Sequence, residues 1–364
     1  MNDRIIDLSR AVPPVIHELE TSLADRIASR LVLPGANGLL RTNRPRGTEE
    51  DRVTGSKWLS QRLGSEPSPD RILVTNGTLN ILFLLLNQLV GKDGTLLTEE
   101  MTYPNMQALS GMLGFPIVGI PMDEQGLDPV ALEEVCQRIN TPKVLYTIPT
   151  MQNPTATVMP IGRREQVVGI ARKYDVKIIE DDAQALMIED APLPLATFAP
   201  ERTWYVMGLA KTVVMGLRVA YLATPDVSGT EALMSRFGKM SMWFVAALQA
   251  ELAHALISSG VAGRATAAIR DIATERRRIV AEILDRPGLL AFPRGLHVWV
   301  PTSRDAVDIA QQARSEGVLV RPGKEFAAKP GESSTMNGLR ISFCETREER
   351  DLRQGLAIVA ALLD

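Results

Sequence analysis

Between residues 70 and 225, short β-type runs alternate with helix-patterned segments, and glycine, proline or polar turns separate them. This alternation constrains the fold more than any other feature. Strand–helix units in series bury their apolar faces by laying the strands in a mostly parallel sheet with helices on both sides. RILVTNGTLNILFLLLNQLV places a strand at Ile72–Thr75, a turn at Asn76-Gly77-Thr78 and a long apolar helix directly after it. The free backbone N–H groups where such a helix starts form an anion site. Further strands fall in TLLTEE, in FPIVGIPM (115–122), at Val144–Ile148 and in KIIEDDAQALM, where the strand ends in three consecutive acids. Ligands of such sheets collect at the carboxyl ends of the strands.

The stretch WYVMGLAKTVVMGLRVAYLATP, from Trp204 to Pro225, holds Lys211 in a turn between two apolar runs, with Arg218 seven residues on. Burial disfavours the charged amine and lowers its pKa. A neutral amine condenses with carbonyls, so Lys211 is a candidate nucleophile. Taken by itself, the stretch also fits a surface lysine in a loop.

Around this α/β region, residues 1–47 are irregular and proline- and glycine-punctuated, with one helix expected over 17–32. Thr48 is the expected N-cap of a helix with acids in its first turn. Residues 229–284 read as a long helical region with a break at Ser258-Ser259-Gly260, and residues 285–364 as a compact α+β unit. The expected division is an N-terminal segment 1–47 joining a small domain, a large domain 48–284 and a C-terminal small domain 285–364.

Composition narrows the function. A net charge of −3 and a pI near 5.8 argue against nucleic acid or an anionic membrane as partner. Cys136 and Cys344, with His17, His254 and His297, show neither metal-ligand spacing nor a disulfide framework. MNDRIIDLSR lacks a signal-like apolar run, and the longest apolar stretch, residues 81–90, is interrupted by Asn87 and Gln88. The expected setting is a reducing cytoplasm.

The segments PTMQNPTATVMP, VKIIEDDAQ, AKTVVMGLRVAYL and NGLRISF, in that order, resemble the fold-type I pyridoxal-phosphate enzymes, specifically the class I/II aminotransferases. The resemblance runs from IIDLSRAVPP to the terminal helix. It implies a three-layer α/β large domain with a smaller α+β domain, pyridoxal 5'-phosphate as cofactor, and a homodimer with shared active sites. Lys211 would form the internal aldimine and shuttle the Cα proton. Asp181 would bind the pyridine nitrogen, Asn153 the phenolic oxygen, and Tyr103 would stack on the ring. Arg218 with the Gly77, Thr78 and Leu79 backbone would cradle the phosphate, and Arg340 would pair with the substrate α-carboxylate.

Four departures from the family pattern stand out. Gln184 replaces a tyrosine that donates to the phenolic oxygen, and Gly208-Leu209-Ala210 lack the usual hydroxyls. The tyrosine that reaches the partner's phosphate is replaced near Thr42, and Ala11 takes the place of a glycine near the substrate carboxylate. The leading expectation is transamination of an α-amino acid. A second is elimination, replacement or cyclisation of a modified, for example hydroxylated, amino acid in specialised metabolism. A third is a non-catalytic cofactor-binding sensor; the net acidic chain and its start directly on IIDLSRAVPP weigh against a regulator with a basic DNA-binding module.

Overall fold

The computed structural model describes residues 5–32, 39, 41–284, 295–329 and 337–363. At its centre lies a seven-stranded sheet. In chain order its strands are β1 (Ile72–Thr75), β2 (Thr95–Glu99), β3 (Ile117–Ile120), β4 (Lys143–Thr147), β5 (Lys177–Asp181), β6 (Thr203–Gly208) and β7 (Ala220–Ala223). Side by side they run β1-β7-β6-β5-β4-β2-β3. The pairs from β6 to β3 are parallel, while β7 is antiparallel to both its neighbours, β1 and β6. The mostly parallel sheet is therefore as expected, with one reversed strand.

Strand side chains divide cleanly between the two faces, as a period of two requires. Val144, Tyr146 and Ile179 enter one core cluster, while Leu145 and Ile178 enter another on the opposite side. Helices cover both faces, so these strands read as near-continuous apolar runs. The Glu49–Leu63 helix starts on the expected cap: Thr48 accepts from the Asp51 amide while Asp51 accepts from the Thr48 amide. The segment after β1 differs from the single helix expected. It is α-helical over Thr78–Leu85 and widens to a π-turn over Leu86–Val90, where Asn87 and Gln88 interrupt the apolar run.

The long helical region divides into Val227–Phe237, Ala247–Ser258 and Val261–Ile283. The break at Ser259-Gly260 is the expected one, with Gly260 in the left-handed region at φ 75°. The interruption from Gly238 to Ala246 was not expected; there Asn76 N donates to Trp243 O, tying the segment to the first turn of the sheet.

A second, antiparallel sheet holds β8 (His297–Pro301), β9 (Arg321–Pro322) and β10 (Gly338–Ser342), in the order β8-β10-β9. The helices Ala306–Ser315 and Glu349–Leu363 pack with it. Ile6–Asp7 pairs in parallel with Val318–Leu319, and Ser342 N donates to Leu8 O at 2.8 Å, which attaches the N-terminal segment to this smaller unit. The expected boundary at 284/285 adjoins residues outside the described ones, and the whole LLAFP run before β8 lies among these.

Gly55 shows how closely the large unit is packed. It lies mid-helix against the fully buried ring of Tyr221 in β7, and a Cβ there would meet Tyr221 Cδ1 at 2.4 Å. Alanine would favour the helix by about 1 kcal/mol, but forcing the ring aside costs about 1–3 kcal/mol. Gly55→Ala is therefore expected to lower the denaturant midpoint; an unchanged or raised midpoint would show that the ring moves freely.

Candidate active site

The carboxyl ends of β4, β5 and β6 open into a cavity of about 520 Å³ whose far wall is the smaller sheet and the N-terminal segment. Thr78, Tyr103, Asn153, Asp181, Gln184, Lys211, Arg340 and Ala11 all line it. Of the residues singled out in the sequence, Gly77, Leu79 and Arg218 do not face this space and sit at its margin.

The three acids that end β5 are held in three different ways. Glu180 accepts from the Leu195 and Ala196 amides, both at 2.8 Å, with Arg164 Nη1 3.8 Å away. Asp182 accepts from Arg62 Nε at 3.0 Å and from the Tyr205 hydroxyl at 2.6 Å. Asp181, which alternates to the other face, accepts from the Tyr146 hydroxyl at 2.9 Å and the Ala183 amide at 3.2 Å. Burial pushes its carboxyl up to about 6, against the pull of those hydrogen bonds. Asp181 is thus the one carboxylate of the three turned to the cavity, and Tyr146 positions it.

Lys211 Nζ donates to Ala11 O at 2.5 Å across the cavity mouth. Burial, and after it the positive charges of Arg340 and Arg10, pull the ammonium down to about 8. A substantial neutral fraction is therefore present near physiological pH, as the flanking apolar strands led one to expect. Arg340, in β10, donates to Asn153 Oδ1 at 2.8 Å and to the Ser9 carbonyl. Its Nε is buried without a partner, and its charge meets only neutral oxygens in these bonds. Burial leads the causes that lower its pKa to about 9. A buried guanidinium lacking a carboxylate calls for an anion from outside. Asn153 precedes a cis peptide bond to Pro154.

At the margin, Gly77 is in the left-handed region at φ 84°, and a Cβ there would meet Arg218 Nη2 at 3.2 Å. Glycine at this point lets the guanidinium lie over the backbone where the Thr78–Leu85 helix begins. Gly77 N is engaged by Thr75 O at 2.9 Å, so the amides left facing outward are those of the first helical turn, Thr78 and Leu79. Arg218 and that turn together make a site for an anion with several oxygens. Gln184 is buried and lines the cavity with its Oε1 unpartnered. Gly208 leaves no room for a larger residue, since a Cβ would meet Thr78 Cγ2 at 2.9 Å.

Arg10 also lines the cavity, whereas Arg44 is bound to Asp51 at 3.0 Å and Trp243 stacks on Phe83 at 4.4 Å. Tyr146, Ser9, Arg314, Arg321 and Glu325 were not anticipated. Tyr146 was open to a period-two reading of β4; the others depend on how the smaller unit meets the sheet. Among the described residues, no cluster of histidine, cysteine or carboxylates could hold a metal ion, and no helix is long and apolar enough to cross a membrane.

The fold and this cavity define a class of protein, and comparison with known proteins agrees. Residues 40–356 match the family described as aminotransferase class I and II, and the chain belongs to that family. Its members work with pyridoxal phosphate. Similar curated proteins include an uncharacterized HTH-type transcriptional regulator, YdeF of Bacillus subtilis, 30% identical over 84% of this chain and 66% of that one. The 2-aminoadipate transaminase of Thermus thermophilus is 26% identical over 92% of this chain and 84% of its own. An archaeal alanine:glyoxylate aminotransferase structure is 26% identical with a TM-score of 0.85, over 99% of this chain and 91% of that one. The kynurenine aminotransferase of Pyrococcus horikoshii, 22% identical, shares the fold at a TM-score of 0.87 over 99% and 90%. Of YdeF and a second such Bacillus regulator, YisV, the chain spans 66% and 57% of the length.

The raised pKa of Asp181 has a consequence for stability. Its value is about 6 in the folded protein and about 3.9 in an unfolded chain. The ionised acid therefore opposes folding: the penalty is absent below pH ~4, grows between the two values, and is complete above the folded one. Without cofactor, Asp181→Asn is expected to be more stable at pH 8 by up to about 3 kcal/mol, and the gain should vanish toward pH 4. Urea melts at both pH values would check this; a gain that is independent of pH would refute it.

Proposed function

We propose that this chain is a pyridoxal-phosphate-dependent aminotransferase that converts an α-amino acid to its 2-oxo acid, with Lys211 as the amine that carries the cofactor and moves the proton. The observation that carries this reading is one cavity containing Lys211, Asp181 and Arg340: an amine that is partly neutral, a buried carboxylate, and a buried cation in need of an anion.

The residues present fit the cofactor. Arg218 and the Thr78 and Leu79 amides suit its phosphate, in the cradle that Gly77 leaves open. Asp181, fixed by Tyr146, suits a protonated pyridine nitrogen. Asn153 and Gln184 would hold the phenolic oxygen, and Tyr103 would cover the ring. Bound there, pyridoxal phosphate supplies an electron sink for the pair left at Cα. Arg340 receives the α-carboxylate and thereby orients the Cα–H bond toward Lys211. Lys211 Nζ takes that proton and holds it for return. Gln184, an amide, can donate to the phenolic oxygen but does not titrate.

A homodimer is part of the proposal. Arg218 is exposed in the single chain, as are Met240 and Met242 in the segment that bonds to the turn after β1, and a second copy would cover them. Both cysteines are buried and unpaired, which supports a reducing, cytoplasmic setting.

Reconstituted with pyridoxal phosphate, the protein should lose the cofactor's visible absorption when given a suitable amino acid and release the matching 2-oxo acid, detected by mass. Lys211→Ala should slow this by at least about 10³-fold. Undiminished turnover in that variant would remove Lys211 from its role. A cofactor spectrum that no amino acid alters would leave a ligand-binding domain in place of an enzyme.

A further inference from the structure

One group of charges in the cavity has no part in the scheme above. Arg321 in β9 lies directly opposite Arg340 in β10 in the strand register. Both side chains line the cavity, and both guanidinium groups stand over the buried ring of Phe326, at 4.6 and 4.9 Å from its centre. Like charges directly across a strand pair destabilise the sheet, and after burial the charge of Arg321 is what lowers the pKa of Arg340. The arrangement is costly in the empty site.

The compensating anion is weakly placed. Glu325 accepts from Arg321 Nε at 2.6 Å, but the two side chains are 47% and 29% exposed, so the pair is screened and exchangeable. Arg314, on the same wall, has no side-chain hydrogen bond or ion pair among the described residues. Arg10 has Glu345 at 2.8 Å. Once an α-carboxylate occupies Arg340, the wall beyond it is still cationic.

We propose that Arg321, with Arg314 beside it, is a second carboxylate subsite, and that the substrate is an α-amino acid whose side chain ends in an acid. This rests on the aminotransferase reading and names the substrate class of that same cavity. The α-carboxylate meets Arg340 at the inner end and the side-chain carboxylate meets Arg321 at the outer end, displacing Glu325 toward solvent. Phe326, within cation–π distance of both guanidinium groups, serves them as a shared platform. Glu325 then sets the threshold: a neutral side chain gains nothing by displacing it.

The test uses the cofactor-loaded protein with L-2-aminoadipate and L-glutamate as acidic probes and L-norvaline as a neutral one. Arg321→Met should raise KM for the acidic probes by about 10–100-fold, the loss of one charge-assisted pair. It should change kcat/KM for norvaline less than about threefold on the same basis, since norvaline makes no such pair. Because that variant leaves Glu325 unpaired, Arg321→Met/Glu325→Gln serves as its control and should show the same selectivity. Glu325→Gln alone should lower KM for the acidic probes.

Equal losses on all three probes, or a preference for norvaline or for lysine in the unaltered protein, would overturn the subsite while leaving the aminotransferase reading intact. Calorimetry of glutarate against butyrate reads the subsite without turnover. Tighter binding of glutarate that Arg321→Met abolishes supports it even if no amino acid is consumed, in which case only the aminotransferase reading falls. Equal binding of the two acids overturns it.

Discussion

Everything at the centre of this protein depends on three carboxylates in a row at the end of a buried strand. Glu180, Asp181 and Asp182 are each nearly inaccessible to water, and buried charges persist only when paired or well hydrogen-bonded. Arg164 and two helix-start amides hold Glu180; Arg62 and Tyr205 hold Asp182. Arg62 ends the Glu49–Leu63 helix and also donates to the Ala191 and Pro192 carbonyls. The same contacts that satisfy Asp182 therefore dock that helix and the loop after β5. With its two neighbours committed behind the sheet, Asp181 has only Tyr146 and one amide, and its remaining capacity faces the cavity.

The opposite wall is assembled from distant parts of the chain. Lys211 reaches the Ala11 carbonyl and Arg340 reaches the Ser9 carbonyl. Residues 6–8 are stitched to β10 and to Val318–Leu319. The N-terminal segment thus works as a strap: pinned on the smaller sheet, it presents one carbonyl oxygen to Lys211 and another to Arg340. The Arg340–Ser9 bond lies within the smaller unit, whereas the Lys211–Ala11 and Arg340–Asn153 bonds cross to the large sheet and are the ones that a movement of the smaller unit stretches.

Much of this was legible in the sequence because it is written in local patterns. The strand–turn–helix at Asn76-Gly77-Thr78, the acids after Ile178-Ile179 and the lysine between two apolar runs each sit at a strand end. A parallel sheet brings such ends together without further information. The Thr48 cap and the Gly260 break are likewise local. What escaped depends on tertiary placement. Nothing in VLVRPG shows that Arg321 will stand opposite Arg340, because the two residues are nineteen apart in sequence and meet only through the direct pairing of β9 with β10. Nor does the sequence disclose that Gly77 turns its own amide inward, since that depends on how the Thr75 carbonyl is aimed. The break at Gly238–Ala246 escaped because its segment is held by the turn after β1, a contact across much of the chain.

The electrostatics of the cavity tie these parts together. Lys211, Arg340, Arg321 and Arg10 all bear on one space, and burial with mutual repulsion lowers Lys211 to about 8 and Arg340 to about 9. Asp181 is held above its ordinary range by burial in the same space. Each shift is a free-energy cost on the empty fold, because a pKa moved toward the uncharged form measures how poorly the site tolerates the charge. A ligand with anionic ends and a protonated ring nitrogen would relieve all of them at once. Burial does most to make Lys211 a usable base in the empty site, and the repulsion from Arg340 that adds to it is what an arriving carboxylate removes. Binding at one end of the cavity therefore raises the basicity of the amine at the other. Stabilisation by the ligand and the proton affinity of Lys211 are coupled through Arg340, which holds the strap, the Asn153 loop and the smaller sheet in one bonded group.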